Sequence, residues 1–308
     1  MFLNRRQFVV ASWAALAASP LRELRAFTQA PGQTPPATPK FAQLRGGVGI
    51  FTARGGTIGY LVAPDAVIVV DSQYPDTAPS CLEGLKARSP RPIDRLFNTH
   101  HHADHTGGNA VFRPAVARIV AHARVPELQK AAAAQAGTEA QQVYPDATFT
   151  DTWAEPIGRH TVEARYYGPA HTGGDCTVTF QAANVVHMGD LVFHHVHPRV
   201  DRPAGASIVN WVTVLEQATR RDPGDTVYIF GHGGPHVGVT GRKADVLFFR
   251  DYLSAALDFV RKRLNAGASR EEVIKANELA GFTDFVPLGG RLTASHVLEM
   301  AFEELSAR

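Results

Sequence analysis

Thr99-His100-His101-His102-Ala103-Asp104-His105 decides how this chain is read. It follows the apolar, strand-like run Ile93 to Phe97 and sets four metal-ligating side chains, His100, His102, Asp104 and His105, within six positions. A loop leaving a strand end with this spacing aims two imidazoles at one metal ion and a carboxylate plus an imidazole at another. The local pattern alone therefore points to a two-metal geometry at the end of a β-strand.

Three further candidates stand downstream, each beside glycine at the end of a strand-like run. They are His171 in Gly168-Pro169-Ala170-His171-Thr172-Gly173-Gly174-Asp175, Asp190 in His187-Met188-Gly189-Asp190, and His232 in Phe230-Gly231-His232-Gly233-Gly234. Glycine allows the sharp turns and close backbone approach that a crowded strand end requires. Any one of these would pass for an ordinary turn. In order, with the first cluster, they make seven ligands.

The surrounding sequence supplies the scaffold. Val48 to Thr52, Ile58 to Ala63 and Ala66 to Asp71 are β-type runs separated by Gly55-Gly56 and Pro64-Asp65, which predicts an antiparallel meander. Arg118 to Ala121, Thr161 to Tyr167, Thr177 to Gln181, Asn184 to Met188 and Val227 to Phe230 are further strands. Apolar spacing of three and four predicts helices over Asp76 to Arg88, Val125 to Ala136, Ser207 to Arg220, Arg242 to Leu264, Arg270 to Ala280 and Thr293 to Leu305. Strands in two batches, each followed by helices, predict two packed sheets with helices outside.

The N-terminus differs in kind. Asn4-Arg5-Arg6-Gln7-Phe8 followed by the short apolar run to Ala18 is a twin-arginine pattern, read as an export signal over residues 1–30 with cleavage near Ala26 or Ala30. Residues 31–40 form a Pro-rich linker, and 41–308 form the folded domain with its C-terminal helices. This predicts engagement of the twin-arginine export machinery and a periplasmic or extracellular product without stable membrane insertion. Residues 1–30 carry four arginines and one glutamate, so the remainder has 27 basic against 28 acidic residues, against 31 and 29 for the whole chain. A near-neutral chain lacks the electrostatic footprint of a nucleic-acid binder. The two cysteines, Cys81 and Cys176, are expected as free, buried thiols.

The ordered set His100-x-His102-x-Asp104-His105, His171, Asp190 and His232 resembles the metallo-β-lactamase fold superfamily, over roughly Phe41 to Pro235. The resemblance implies an α/β fold, a four-layer αββα sandwich of two mixed β-sheets, with a binuclear site between the sheet edges. It also implies that His100, His102 and His171 hold the first ion, that Asp104, His105 and His232 hold the second, and that Asp190 bridges them. Two Zn²⁺ suit these donors, and iron or manganese suits them too. A hydroxide between the ions would be the nucleophile, with Asp104 orienting it.

In the superfamily, efficient β-lactamases commonly carry Cys or Ser where this chain has Asp190. A bridging Asp is usual among lactonases, glyoxalase II-type thioesterases and phosphodiester branches. The expected activity is therefore cleavage of a small ester, thioester, lactone or amide. A β-lactamase and a metal-binding accessory protein of an envelope redox system are the alternatives.

Other residues carry weaker expectations. His101 should turn away from the ions into a hydrogen-bonding role, and Asp71 should support a metal-bound histidine. Tyr74 should face the site. His194, His195 and His197 either line the substrate mouth and shuttle protons or form a partly exposed polar loop. Cys176 is expected to be a buried small residue, and Trp153, Tyr166, Tyr167 and Trp211 mainly pack the core.

Overall fold

The computed structural model describes residues 38–307. The expected export signal and most of the expected Pro-rich linker lie outside the described residues. Lys40, read above as the last linker residue, instead opens strand β1 (Lys40–Gln43), with Lys40 opposite Thr52 of β2 (Val48–Thr52). The Phe41 ring anchors this strand, 4.9 Å from the Phe51 ring and beneath the Arg88 guanidinium.

β3 (Ile58–Ala63) and β4 (Ala66–Val70) complete the expected meander. Helix α1 (Ala78–Arg88) crosses to β5 (Arg95–Asn98), and two single-turn helices follow, α2 (Ala103–Thr106) and α3 (Asn109–Phe112). Then come β6 (Ile119–His122), α4 (Val125–Ala136) and β7 (Ala147–Phe149). β4 to β7 pair in parallel, so the first sheet is mixed, seven strands in order β1 to β7.

The second half contributes β8 (Thr152–Ile157), β9 (His160–Tyr166), β10 (Cys176–Phe180), β11 (Val185–His187), β12 (Phe193–His194), α5 (Ile208–Thr219), β13 (Val227–Ile229), β14 (His232–Gly233) and β15 (Thr240–Gly241). Six of these strands form a sheet in the order β15-β13-β11-β10-β9-β8, mixed because β11 and β13 run parallel. β12 and β14 form a small parallel pair of their own. Helices α6 (Lys243–Asn265), α7 (Arg270–Ile274) and α8 (Ala294–Ser306) end the chain.

Alternation along the strands builds the layers. In β4, Ile68 and Val70 join Phe97, Val162, Val178 and Ile229 in the core between the sheets. Val67 and Val69 point the other way, onto Cys81, Leu82 and Leu85 of α1 and Phe112 of α3. The outer face of the second sheet, Val186, Met188, Tyr228 and Phe230, packs on α5, α6 and α8. The result is the expected helix–sheet–sheet–helix stack. Both cysteines are free and buried.

The expected helix over Arg270 to Ala280 is corrected, since α7 stops at Ile274. Its Ser269–Glu272 capping box starts it well. Beyond it, however, Leu279 and Phe285 leave helical spacing to bury themselves in the core cluster under α6, where Phe285 stacks on Tyr252 at 4.2 Å. No helix among the described residues is long and apolar enough to cross a membrane.

Candidate metal centre

Every candidate ligand leaves the end of a strand on the same edge of the two sheets. β5 delivers Thr99 to His105, with His102 as the N-cap of α2 in extended backbone. The turn between β9 and β10 delivers His171, the turn after β11 delivers Asp190, and the exit from β13 delivers His232 at β14. Close approach demands glycine at two points. A Cβ on Gly231 would lie 1.9 Å from Asp190 Oδ1, and one on Gly56 would lie 2.2 Å from His105 Cε1.

The seven residues fall into two adjoining groups. Ligand atoms of His100, His102, His171 and Asp190 lie within 4.8 Å of one another, as do those of Asp104, His105 and His232. Asp190 faces both groups. Its Oδ2 is 3.8 Å from His100 Nε2, 3.5 Å from His171 Nε2 and 3.4 Å from His232 Nε2, and its Oδ1 is 3.1 Å from His105 Nε2. Asp104 Oδ2 lies 3.1 Å from His232 Nε2 and 3.7 Å from His105 Nε2. Most of the group is buried, while the side chains of Asp104 and His232 keep 21% and 12% exposure, so solvent reaches the centre past these two.

Hydrogen bonds on the far side of each ring fix which nitrogen faces inward. His171 Nδ1–H donates to the Arg199 carbonyl at 2.7 Å, and His102 Nε2–H donates to Asp201 Oδ2 at 2.8 Å. Thr99 Oγ1 gives its proton to Asp71 Oδ2 and so accepts from His100 Nδ1–H at 3.0 Å. The inward nitrogens, His100 Nε2, His102 Nδ1 and His171 Nε2, are then all bare lone pairs. His102 Nδ1 stands 3.1 Å from the first and 2.9 Å from the last. Lone pairs so placed repel one another, and a cation between them turns that repulsion into coordination. In the second group, His105 Nε2 and Asp190 Oδ1 are buried without a hydrogen bond. The donor set therefore fits metal ions.

Electrostatics separates the two groups. Burial holds His100 well below the usual imidazole range and lowers His102 to about 4, so these rings are neutral. Burial alone would also lower His105 and His232. The Asp190 carboxylate, with Asp104 and for His105 also Asp71, overrides it, raising His105 well above the usual range and His232 to about 10. Burial would raise Asp190 and Asp104, but the same histidines hold both carboxyls below their ordinary value. In this half, protons and a metal ion compete for the same nitrogens.

The supporting residues fall partly as expected. Asp71 accepts from His105 Nδ1–H at 2.7 Å and from the Thr99 backbone N–H at 2.8 Å. Tyr74 is half-buried beside Asp104 at Gly55, with the Arg54 guanidinium 4.0 Å over its ring. His101 lies outside the seven-residue set, as expected, but not in the expected hydrogen-bonding role: its Nδ1 is buried without a hydrogen bond, its Nε2 stands 3.9 Å from Asp201 Oδ2, and its ring packs 4.4 Å from that of His102. Cys176 is buried, with its Sγ 3.7 Å from the Asn98 carbonyl. Trp211 is buried and donates Nε1–H to the Leu191 carbonyl.

His194, His195 and His197 turn into the packing against the C-terminal helices and join neither group. His194 Nδ1–H donates to the Gly238 carbonyl, His195 stacks on Phe248 and Phe285 and pairs with Asp284, and His197 Nδ1 meets the Tyr252 hydroxyl at 2.8 Å. Asp201 is the supporting residue that sequence reading missed. It lies in an irregular loop eleven positions after Asp190, with no local pattern to mark it. A groove of about 780 Å³, lined by Arg165, Tyr166, Tyr167, Thr177 and Arg220, contains none of the seven candidate ligands.

Together these features define an αββα scaffold with a His- and Asp-lined centre at the strand ends between its sheets. Residues 52–232 match the family model of the Metallo-beta-lactamase superfamily, and the chain belongs to that superfamily. Among solved structures it is similar to a metallo-beta-lactamase from Pontibacter korlensis, with a TM-score of 0.58 and 20% identity over 70% of this chain and 99% of that one. It is also similar to the stereoselective inverting sec-alkylsulfatase Pisa1 from Pseudomonas sp., with a TM-score of 0.67 and 14% identity over 86% of this chain and 50% of that one.

Two curated relatives match shorter segments. The 2,4-dinitroanisole O-demethylase subunit alpha of Nocardioides sp. (strain JS1661) is 31% identical over 41% of this chain and 38% of its own length. The hydroxyacylglutathione hydrolase of Crocosphaera subtropica (strain ATCC 51142 / BH68) is 28% identical over 40% of this chain and 42% of its own. The match thus spans about two fifths of each curated relative.

Proposed function

We propose that this protein is a binuclear metal-dependent hydrolase that cleaves a small ester, thioester, lactone or amide. The observation that carries the reading is the inward-facing set of bare nitrogens on His100, His102 and His171, joined to Asp104, His105 and His232 through the two oxygens of Asp190. His100, His102 and His171 would hold one ion, Asp104, His105 and His232 the other, and Asp190 both. The mixed imidazole and carboxylate donors suit Zn²⁺, and iron or manganese are the other ions they accept. When bound, such ions supply Lewis acidity and lower the pKa of water toward neutrality.

The chain's own residues do the rest. Asp104 and His232 stand at the solvent-accessible side, so an entering substrate meets them first. Asp104, held ionised by His105 and His232, is an acceptor that orients an attacking water. Asp190 is buried and committed to both groups, which suits holding the ions rather than taking a proton. The likeness to a protein named hydroxyacylglutathione hydrolase supports thioester or ester chemistry, and Asp190 supports the same choice through the superfamily resemblance, in which efficient β-lactamases commonly carry Cys or Ser at this point.

The twin-arginine pattern in residues 1–30 supports export to the periplasm or beyond, with the folded domain that opens at Lys40 as the working part. The test is metal analysis of the purified protein with a substrate panel of nitrocefin, imipenem, lactones, thioesters, aryl esters and a phosphodiester, using Asp104→Ala as the blank. Turnover of esters, thioesters or lactones that disappears in the blank is the expected result. Turnover of β-lactams alone would make it a lactamase, and two bound ions without turnover would favour an accessory role.

A further inference from the structure

The segment Arg199–Asp201 touches two of the three rings of the first group. The Arg199 carbonyl accepts from His171 Nδ1–H, and the Asp201 carboxylate accepts from His102 Nε2–H. His102 is the ring in this group that turns Nδ1 inward, whereas His100 and His171 turn Nε2 inward. An Nδ1 ligand needs its proton on Nε2 and a fixed acceptor beyond it, or the ring is free to rotate and to change tautomer. Asp201 Oδ2 is that acceptor. It is itself fixed by Arg199 Nη2–H at 3.0 Å, and Oδ1 accepts from the Ala204 backbone N–H.

The segment is in turn held from outside residues 52–232. His296 Nε2 at the start of α8 accepts from the Val200 N–H at 3.4 Å. Glu304 at the end of α8 accepts from Ser207 Oγ and from the Ile208 N–H, tying down the N-terminus of α5. Helix α8 thereby contacts the stretch of chain that orients a ligand ring.

We propose that Asp201 is a positioning residue that makes His102 an Nδ1 ligand. The proposal rests on the metal-centre reading above, because His102 Nδ1 otherwise has nothing to bind. The test titrates metal-free wild type, Asp201→Ala and Asp201→Asn with Co²⁺, following the visible d–d absorption and competition with a chromophoric chelator. Thermal unfolding of the metal-free proteins is measured alongside.

Asp201→Ala should lose about 10- to 100-fold in affinity for one of the two ions, with a changed Co²⁺ spectrum. Asp201→Asn, whose Oδ1 can still accept from Nε2–H, should recover part of both. Asp201→Ala with wild-type affinity and spectrum overturns the proposal. If Asp201→Ala does not fold, Asp201→Asn decides: weaker Co²⁺ binding or faster exchange of the His102 Nε2–H in the ¹⁵N-histidine spectrum supports the proposal, and wild-type values of both overturn it. A wild type that takes up no Co²⁺ instead overturns the metal-centre reading itself.

Discussion

Gly231 passes Asp190 so closely that a β-carbon there would sit 1.9 Å from Asp190 Oδ1 and 2.9 Å from the Gly189 carbonyl oxygen. Two exits, from β11 and from β13, are pressed together at that point by the Gly231 N–H donating to the Gly189 carbonyl at 2.7 Å. The position of Asp190 between the two ligand groups therefore depends on the missing side chain of Gly231, itself no ligand. Gly231→Ala should displace Asp190, cost about 1–3 kcal/mol through overpacking, and reduce the bound metal per chain. Metal analysis together with thermal unfolding checks this, and an alanine variant with a full metal complement contradicts it.

Asp71 is completely buried in left-handed backbone, φ 66°, and its two oxygens serve Thr99 and His105. Asparagine tolerates that backbone. Asp71→Asn should fold and yet lose about 10- to 100-fold in metal affinity, because His105 Nδ1–H loses one of the two equivalent carboxylate oxygens that orient the ring. Chelator competition measures the loss, and unchanged affinity would count against the orientation role.

Removing the metal should make stability depend on pH with a defined sign. His105 and His232 have folded-state pKa values raised by the surrounding carboxylates, His232 to about 10. Groups raised on folding contribute stability that is fully present below the unfolded value of about 6.5 and is lost as pH rises through the folded value. The metal-free protein should therefore unfold at lower temperature as pH rises from about 6.5 toward 10, whereas the loaded protein should not. Metal uptake near neutral pH should release protons, seen by calorimetry in buffers of different ionisation enthalpy. A metal-free protein that gains stability over this range contradicts the account.

Trp211 braces the centre from the helical side, its ring 5.7 Å from His171 and its indole N–H on the Leu191 carbonyl. Trp211→Ala should destabilise by about 3–5 kcal/mol. Trp211→Phe, which keeps most of the apolar contact but leaves Leu191 O unpaired, should cost about 1–3 kcal/mol. Urea unfolding separates the two, and a Trp211→Phe variant with wild-type stability would show that the hydrogen bond contributes nothing.

What could be read from sequence was whatever is local. The four side chains between His100 and His105 and the glycine-flanked His171, Asp190 and His232 are marked by density and by turn chemistry. The meander from Val48 to Val70 is marked by short β-type runs and the turns between them. Asp201 carries no such mark, since its role arises only when the loop after β12 folds back over His102. The same fold-back explains His194, His195 and His197. Their density points to a substrate mouth or a partly exposed polar loop, but Phe248, Phe285 and Tyr252, distant in sequence, supply an aromatic bed for His195 and His197, and His194 is taken by the Gly238 carbonyl. β1, β12, β14 and β15 are two to four residues long, too short for a period to show.

Two ions sharing Asp190 would unify the two ligand groups. Anomalous diffraction at the zinc edge from crystals of the zinc-loaded protein tests it most directly. The account predicts two peaks about 3.5–4 Å apart, one among His100, His102 and His171 and one among Asp104, His105 and His232, with the Asp190 carboxylate between them. A single peak, or a peak seated instead among His101, His102 and Asp201, would contradict it.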